Sequence, residues 1–162
     1  MALNTLQDLL VEELKDTYSS ETQIVKALPK MAQAATSPQL KAAFEKHLVE
    51  TQNQVKRLEQ IFQQLGESPE GNDCEATEGL VKEGEELMGE QADPQVLDAG
   101  LIAAAQKVEH YEIASYGTLT TWAKELGHTQ IADLLHQTLS EEKMTDEALT
   151  ALAESRINSS AE

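Results

Sequence analysis

A single cysteine, Cys74, leaves this chain without an intramolecular disulfide, a Cys-x-x-Cys metal knuckle or a dithiol redox pair. A reducing, cytoplasmic setting follows as the expectation. Aromatic residues make up only 4% of the sequence and there are four prolines, while Ala, Leu, Glu, Gln and Lys dominate. That is the composition of helices, and no sheet is expected. Basic side chains are also scarce, 12 against 29 acidic ones, for a net charge of −17. Such a surface repels nucleic acid phosphates and anionic membranes, so neither is expected as a partner. No apolar run approaches the roughly 20 residues of a membrane-spanning helix. Met1-Ala2-Leu3-Asn4 lacks the basic and apolar regions of a secretory leader. The acidic excess itself has two meanings, plain solubility or carboxylates gathered to hold cations, and placement decides between them.

With 162 residues, 40% of them hydrophobic, the chain is expected to form one domain over 1–162. Leu3, Leu6, Leu10, Leu14, Ile24, Leu28 and Met31 recur at helical spacing and mark a first helix to about Ala35, with a kink expected at Pro29. Ser37-Pro38 is a cap followed by proline at the first helical position, and Leu40, Phe44, Leu48, Val55, Leu58, Phe62 and Leu65 carry a second helix to Gly66. The acidic, Gly-punctuated crossover, about 66–93, has room for a short helix through Leu80, Val81, Leu87 and Met88. It should bury little and be the interior segment cleaved most easily. Asp93-Pro94 repeats the cap signal, and a third helix runs through Leu97, Leu101, Ala105, Val108, Tyr116, Leu119 and Ala123 to Gly127. A fourth begins near Thr129, and the tail, about 156–162, is expected to fray. Two short links and one long one predict an all-α, ferritin-like four-helix bundle with a short extra helix in the crossover between helices two and three. A shift of 91 residues also superimposes the two hairpins, Glu21 on Glu112 and Glu50 on Glu141.

Polar residues interrupt the apolar stripes on every helix. Glu21 occupies an inward place between Leu14 and Ile24, and His47 does so between Phe44 and Thr51, with Glu50 one turn on at the stripe's edge. Glu112 lies inside helix three with Glu109 one turn before it; Glu142 lies inside helix four with Asp146 one turn on. Counting from the hairpin turns at 1.5 Å per residue puts Glu21, His47 and Glu50 at one level and Glu112 and Glu142 at a matching depth. Clustered carboxylates in an apolar core must protonate, find water or bind cations. Oxygen donors with one imidazole suit one or two ions of iron or manganese, for which the candidate ligands are Glu21, His47, Glu50, Glu109, Glu112 and Glu142, with Asp146 as an outer or alternative ligand. His110 faces away from the Glu109–Glu112 edge, and His128 and His136 are placed toward solvent. Tyr18 and Tyr111 fall near the layer, where packing is their simplest role, and Trp122 is read as core. Glu83-Gly84-Glu85-Glu86 is read as a solvated face.

Four segments carry a family resemblance: Leu14-Lys15-Asp16-Thr17-Tyr18-Ser19-Ser20-Glu21, Phe44-Glu45-Lys46-His47-Leu48-Val49-Glu50-Thr51, the stretch from Ala103 through Glu109-His110-Tyr111-Glu112 to Gly117, and Glu141-Glu142-Lys143-Met144-Thr145-Asp146. On these the chain resembles the YciE/YciF family of ferritin-like bacterial stress proteins. The resemblance implies a ferritin-like bundle, often dimeric, architecturally related to rubrerythrins. It also shows a departure. Where ferritins and rubrerythrins carry Glu-x-x-His, this chain has Glu50-Thr51-Gln52-Asn53 and Glu142-Lys143-Met144-Thr145, and its histidine comes earlier, in His47-Leu48-Val49-Glu50.

Two function classes follow: a stress-related protein with a dinuclear metal centre and peroxide- or oxygen-linked activity, or a non-enzymatic dimeric stress module that keeps the fold alone. With no rubredoxin-like Cys-x-x-Cys, redox turnover requires an external electron donor. Ile102, Ile113 and Leu134, beside the inward stripes, lead to the expectation of a homodimer.

Overall fold

Thr5 starts the first helix by accepting from the Asp8 backbone N–H while the Asp8 carboxylate accepts from Thr5 N, a reciprocal cap that fixes the entry of the chain. The computed structural model describes residues 2–71 and 73–162. Its helices are α1 (Leu6–Ala34), α2 (Pro38–Leu65), α3 (Glu75–Gly89), α4 (Pro94–Glu125) and α5 (Thr129–Leu152). A π-helical turn over Ala153–Ile157 and a short α6 (Asn158–Ser160) follow, and no strand occurs among the described residues. The predicted boundaries hold where their chemistry is local. Ser37 and Asp93 cap α2 and α4 ahead of Pro38 and Pro94, and Gly66 and Gly127 take left-handed φ values of 69° and 77° past the ends of α2 and α4. α1 runs unbroken through the exposed Pro29.

Three residues separate α1 from α2 and three separate α4 from α5, which makes each pair an antiparallel hairpin. Hydrogen bonds at both ends fix how the hairpins meet. At one end Asp98, near the start of α4 and 3% exposed, accepts from the Thr36 and Ser37 backbone N–H groups at 2.7 Å each. At the other, His128 after α4 lies 2.7 Å from Gln7 at the start of α1. α1 and α4 are therefore antiparallel neighbours, α2 packs against α5, and the crossover must travel the length of the bundle.

It does so docked. α3 lies against α1 and α4, Ser20 and Thr77 share a buried 2.6 Å hydrogen bond, and Cys74 N donates to Ser19 Oγ. Cys74, Thr77 and Gly84 are buried and Leu80, Val81, Leu87 and Met88 half-buried, although the acidic side chains of the segment are exposed. This departs from the sparse burial expected for 66–93. It also corrects one ground for dimerisation: Ile102 is buried at 2%, and Ile113 and Leu134 pack against the core. The tail departs as well. Residues 153–160 are helical, with Ile157 only 4% exposed in the cluster around Leu101 and Leu149. Leu3, by contrast, precedes α1 and is exposed.

The apolar core is split in two. One cluster, with Leu10, Leu14, Phe62, Leu119 and Leu135, fills the α4–α5-turn end, and another, with Ile24, Leu40, Phe44, Leu101 and Leu149, fills the α1–α2-turn end. Between them lie the buried Glu21, His47, Thr51, Gln54, Glu109, Glu112 and Glu142. The Asp98 carboxylate satisfies two backbone donors at a buried turn, so Asp98→Asn should cost about 2 kcal/mol, since the amide can accept from only one of them through its oxygen. Chemical denaturation should show that loss with an unchanged slope.

Candidate metal centre

Inward spacing on four helices concentrates carboxylates where the two apolar clusters part. Glu21 on α1, His47 on α2, Glu109 and Glu112 on α4 and Glu142 on α5 are each 4% exposed or less. One ligand atom from each of His47, Glu109, Glu112 and Glu142 falls within a mutual 4.8 Å. Two ligands on opposite sides of an ion with bonds near 2.1 Å stand about 4.2 Å apart, so the four fit around one cation with small adjustments. His47 Nε2 lies 2.8 Å from Glu109 Oε1 and 4.0 Å from Glu142 Oε2, yet it makes no aligned hydrogen bond. Close approach without alignment is what donors aimed at a common point show.

Glu21 joins this group from the side. It accepts a short hydrogen bond from Tyr116 Oη. Six further buried atoms lack partners: Glu21 Oε2, Gln54 Oε1, Glu109 Oε2, both Glu112 oxygens and Glu142 Oε2. Groups so placed are costly, because removal from water disfavours a charge that nothing offsets.

The electrostatics follow. Burial pushes Glu21 up to about 7, against the opposing pull of the hydrogen bond it accepts from Tyr116. Burial, then the charges of Glu142, Glu21 and Glu109, raises Glu112 well above the carboxylate range; burial, then Glu109, does the same for Glu142. His47 also titrates high. Burial opposes its charge, but Glu109, Glu50 and Glu142 together outweigh that. The site thus holds protons tightly in place of a cation.

Two candidate ligands lie elsewhere. Glu50 is behind His47, its Oε2 3.8 Å from Nδ1, and it accepts from Thr145 and pairs with Lys46 at 3.5 Å. Its side chain keeps 28% exposure and its pKa is lowered, first by His47. One residue along a helix is a 100° rotation, and the inward places on this part of α2 belong to Thr51 and Gln54, both fully buried. Asp146 turns outward, 3.2 Å from exposed His110 and bonded by Gln106. Tyr18 donates to Glu59 and Tyr111 to Asp16, so neither bonds to the cluster. The tyrosine that does is Tyr116, which spacing alone had placed in the core. His128 is half-buried against Gln7, and Trp122 packs on the core as a partly buried residue.

Sequence reasoning also missed Gln54. It donates a short hydrogen bond to Glu142 and another of 3.1 Å to Glu141, whose carboxylate is held in turn by Arg57 at 3.0 Å. The series Phe44, His47, Thr51, Gln54, Leu58 keeps steps of three and four, and that was the available signal.

YciF of Escherichia coli is 46% identical over 163 residues, covering 100% of this chain and 98% of that protein. The crystal structure of this E. coli stress protein matches with a TM-score of 0.92 over 96% of this chain and 98% of the other. YcfI from Rhodopseudomonas palustris is 51% identical with a TM-score of 0.89, covering 91% and 94%. A Xanthomonas campestris protein at 24% identity shares the fold, with a TM-score of 0.75 over 93% of this chain and 92% of that one. Residues 5–162 match a family described as a domain of unknown function, DUF892. Alike in sequence and fold over nearly its whole length, the chain belongs to this family of YciF-like proteins.

Proposed function

We propose that the protein is a stress-related metal-binding protein whose core takes up iron or manganese as a dinuclear centre, with peroxide- or oxygen-linked redox activity. The observation that carries this reading is the set of unpartnered oxygens on Glu21, Glu109, Glu112 and Glu142 around His47, all removed from solvent. The donors are hard oxygens with one imidazole, the set that suits these ions. His47, Glu109, Glu112 and Glu142 would hold one ion. Glu21 with the free oxygens of Glu112 would hold the second. A bound pair would supply Lewis acidity and electron exchange at the site.

The chain's own residues prepare the place. Glu50, charged and part-exposed, fixes the imidazole from behind, as carboxylates behind ligating histidines do. Gln54 and Arg57 steady Glu142 and Glu141, Tyr116 orients Glu21 by donating a hydrogen bond to it, and the apolar clusters above and below keep water out. Any electron donor is external. The same reading takes the protein as a cytoplasmic homodimer, with exposed Val49 on α2 and Met144 on α5 as the apolar side chains a second copy would cover.

Elemental analysis of untagged protein, purified without chelator, tests it directly. Between one and two equivalents of iron or manganese per chain are expected, lost on replacing Glu112. Protein that stays below a tenth of an equivalent after incubation with either ion moves the assignment to the non-enzymatic dimeric module.

A further inference from the structure

Two cavities reach His47 from opposite sides of α2. One is a groove of about 210 Å³ between α2 and α5, whose walls include Lys46, Glu50, Glu141 and Thr145. The other, about 30 Å³, lies beneath α3. Ile24 and Leu28 on α1, Leu80, Val81 and Met88 on α3 and Val108 on α4 line it. Its polar groups sit only at the ends. The exposed Lys30–Glu85 pair, 2.6 Å apart, stands at the surface, and His47 with Glu109 closes the inner end. Gly84 leaves part of the space open, since a Cβ there would occupy it in ordinary contact, 3.8 Å from Ala104 Cβ.

These two spaces differ in what they admit. A cation entering beneath α3 would shed its water with nothing to replace it, a cost of several kcal/mol at least. The α2–α5 groove offers carboxylates instead. A water molecule needs two to four polar partners, and the middle of the α3 cavity provides none. The volume nevertheless exceeds the roughly 10–15 Å³ that one water-sized molecule needs. Dry apolar cavities of this kind take up uncharged atoms and molecules such as xenon.

We propose that the cavity beneath α3 is a binding site for a small uncharged molecule of dioxygen's size and delivers it to the His47–Glu109 side of the polar cluster. The delivery half rests on the metal-binding reading, whereas the binding half does not. Α3 thereby has a task beyond linking the hairpins: it roofs an apolar approach to a charged site.

Xenon tests the binding half on metal-free protein. Crystals held under xenon should show one atom between Leu28, Val81 and Val108, and dissolved dioxygen should broaden the methyl resonances of Ile24, Leu80 and Val108 several-fold more than those of Leu14 and Leu135. Val81→Phe should abolish both signals by filling the space from α3, and Ala27→Leu should do so from α1. Both positions line the cavity and neither is a candidate ligand, so manganese affinity should stay within about twofold of wild type. Absence of xenon from the wild type, its persistence in both variants, or equal broadening at Leu14 overturns the proposal. Xenon in a protein that takes up no metal keeps the cavity as a ligand site and overturns its delivery role.

Discussion

Stripping divalent metal from this protein at pH 8 should lower its melting temperature by about 10 °C. An ion at roughly a thousand times its dissociation constant stabilises the only state that binds it by about 4 kcal/mol, and a domain of this size shifts about 2–4 °C per kcal/mol. Replacing Glu112 and Glu142 together by Gln should remove the metal increment and leave helicity unchanged. Without metal, that variant should melt above the stripped wild type, because two carboxyls held far from their ordinary range have lost their charge. Differential scanning calorimetry with and without manganese gives all four values. A wild type indifferent to iron, manganese and zinc, beside a more stable double variant, would mean that the acids are a repulsive layer with no ion to serve.

The second large effect is an inversion of pH dependence. In the metal-free protein Glu21 titrates at about 7 against an ordinary 4.5. Glu112, Glu142 and His47 are shifted in the same direction. A group whose folded pKa is raised binds its proton more tightly when folded, so its stabilisation is complete below the unfolded pKa and lost as pH climbs through the folded one. For Glu21 that window runs from 4.5 to about 7, and its span corresponds to about 3 kcal/mol at 1.36 kcal/mol per unit. Metal-free protein should therefore be markedly more stable at pH 5.5 than at pH 8. Glu50, whose pKa is lowered, contributes the opposite slope below its ordinary value and sets the acid limit. The metal-loaded protein should run the other way, since protons compete for the same oxygens, and binding near pH 6.5 should release protons measurable by calorimetry in buffers of different ionisation enthalpy. Metal-free stability that stays level or rises between pH 5.5 and 8 would refute the cluster's proton-holding character.

How far the sequence disclosed this molecule depends on the range of the interactions involved. Ser37-Pro38, Asp93-Pro94, Gly66 and Gly127 act within a turn of themselves, so four helix ends could be placed to within two residues. Glu21, Glu112 and Glu142 were legible as inward because long apolar series bracket them. Glu50 was not. The stripe on α2 was traced through Val55, a half-buried residue, when it passes through Gln54, and that single step carried the carboxylate to the edge. Gln54 itself was hidden by type, since glutamine is ordinarily exposed, and only its bond to Glu142 explains its burial. The docking of α3 was beyond periodicity altogether. It depends on Ser19 meeting Cys74 and Ser20 meeting Thr77 across more than fifty residues of chain. Ile102 looked like a free flank because nothing local shows that α3 and the final turns enclose that end.

Glu21 and His47 come from the first hairpin, and Glu109, Glu112 and Glu142 from the second. Each hairpin is built from contacts between neighbours in the chain, which form quickly, whereas the two halves must close a loop that includes the whole crossover before they touch. The residues of the cluster accordingly do not come together until the hairpins have met. An ion can find no purchase in what precedes it. Stabilisation absent from the transition state appears wholly in the rate of escape from the native basin. A cation bound there would be a latch on a closed door, lengthening the lifetime of the folded protein and leaving the pace of its formation to the helices alone.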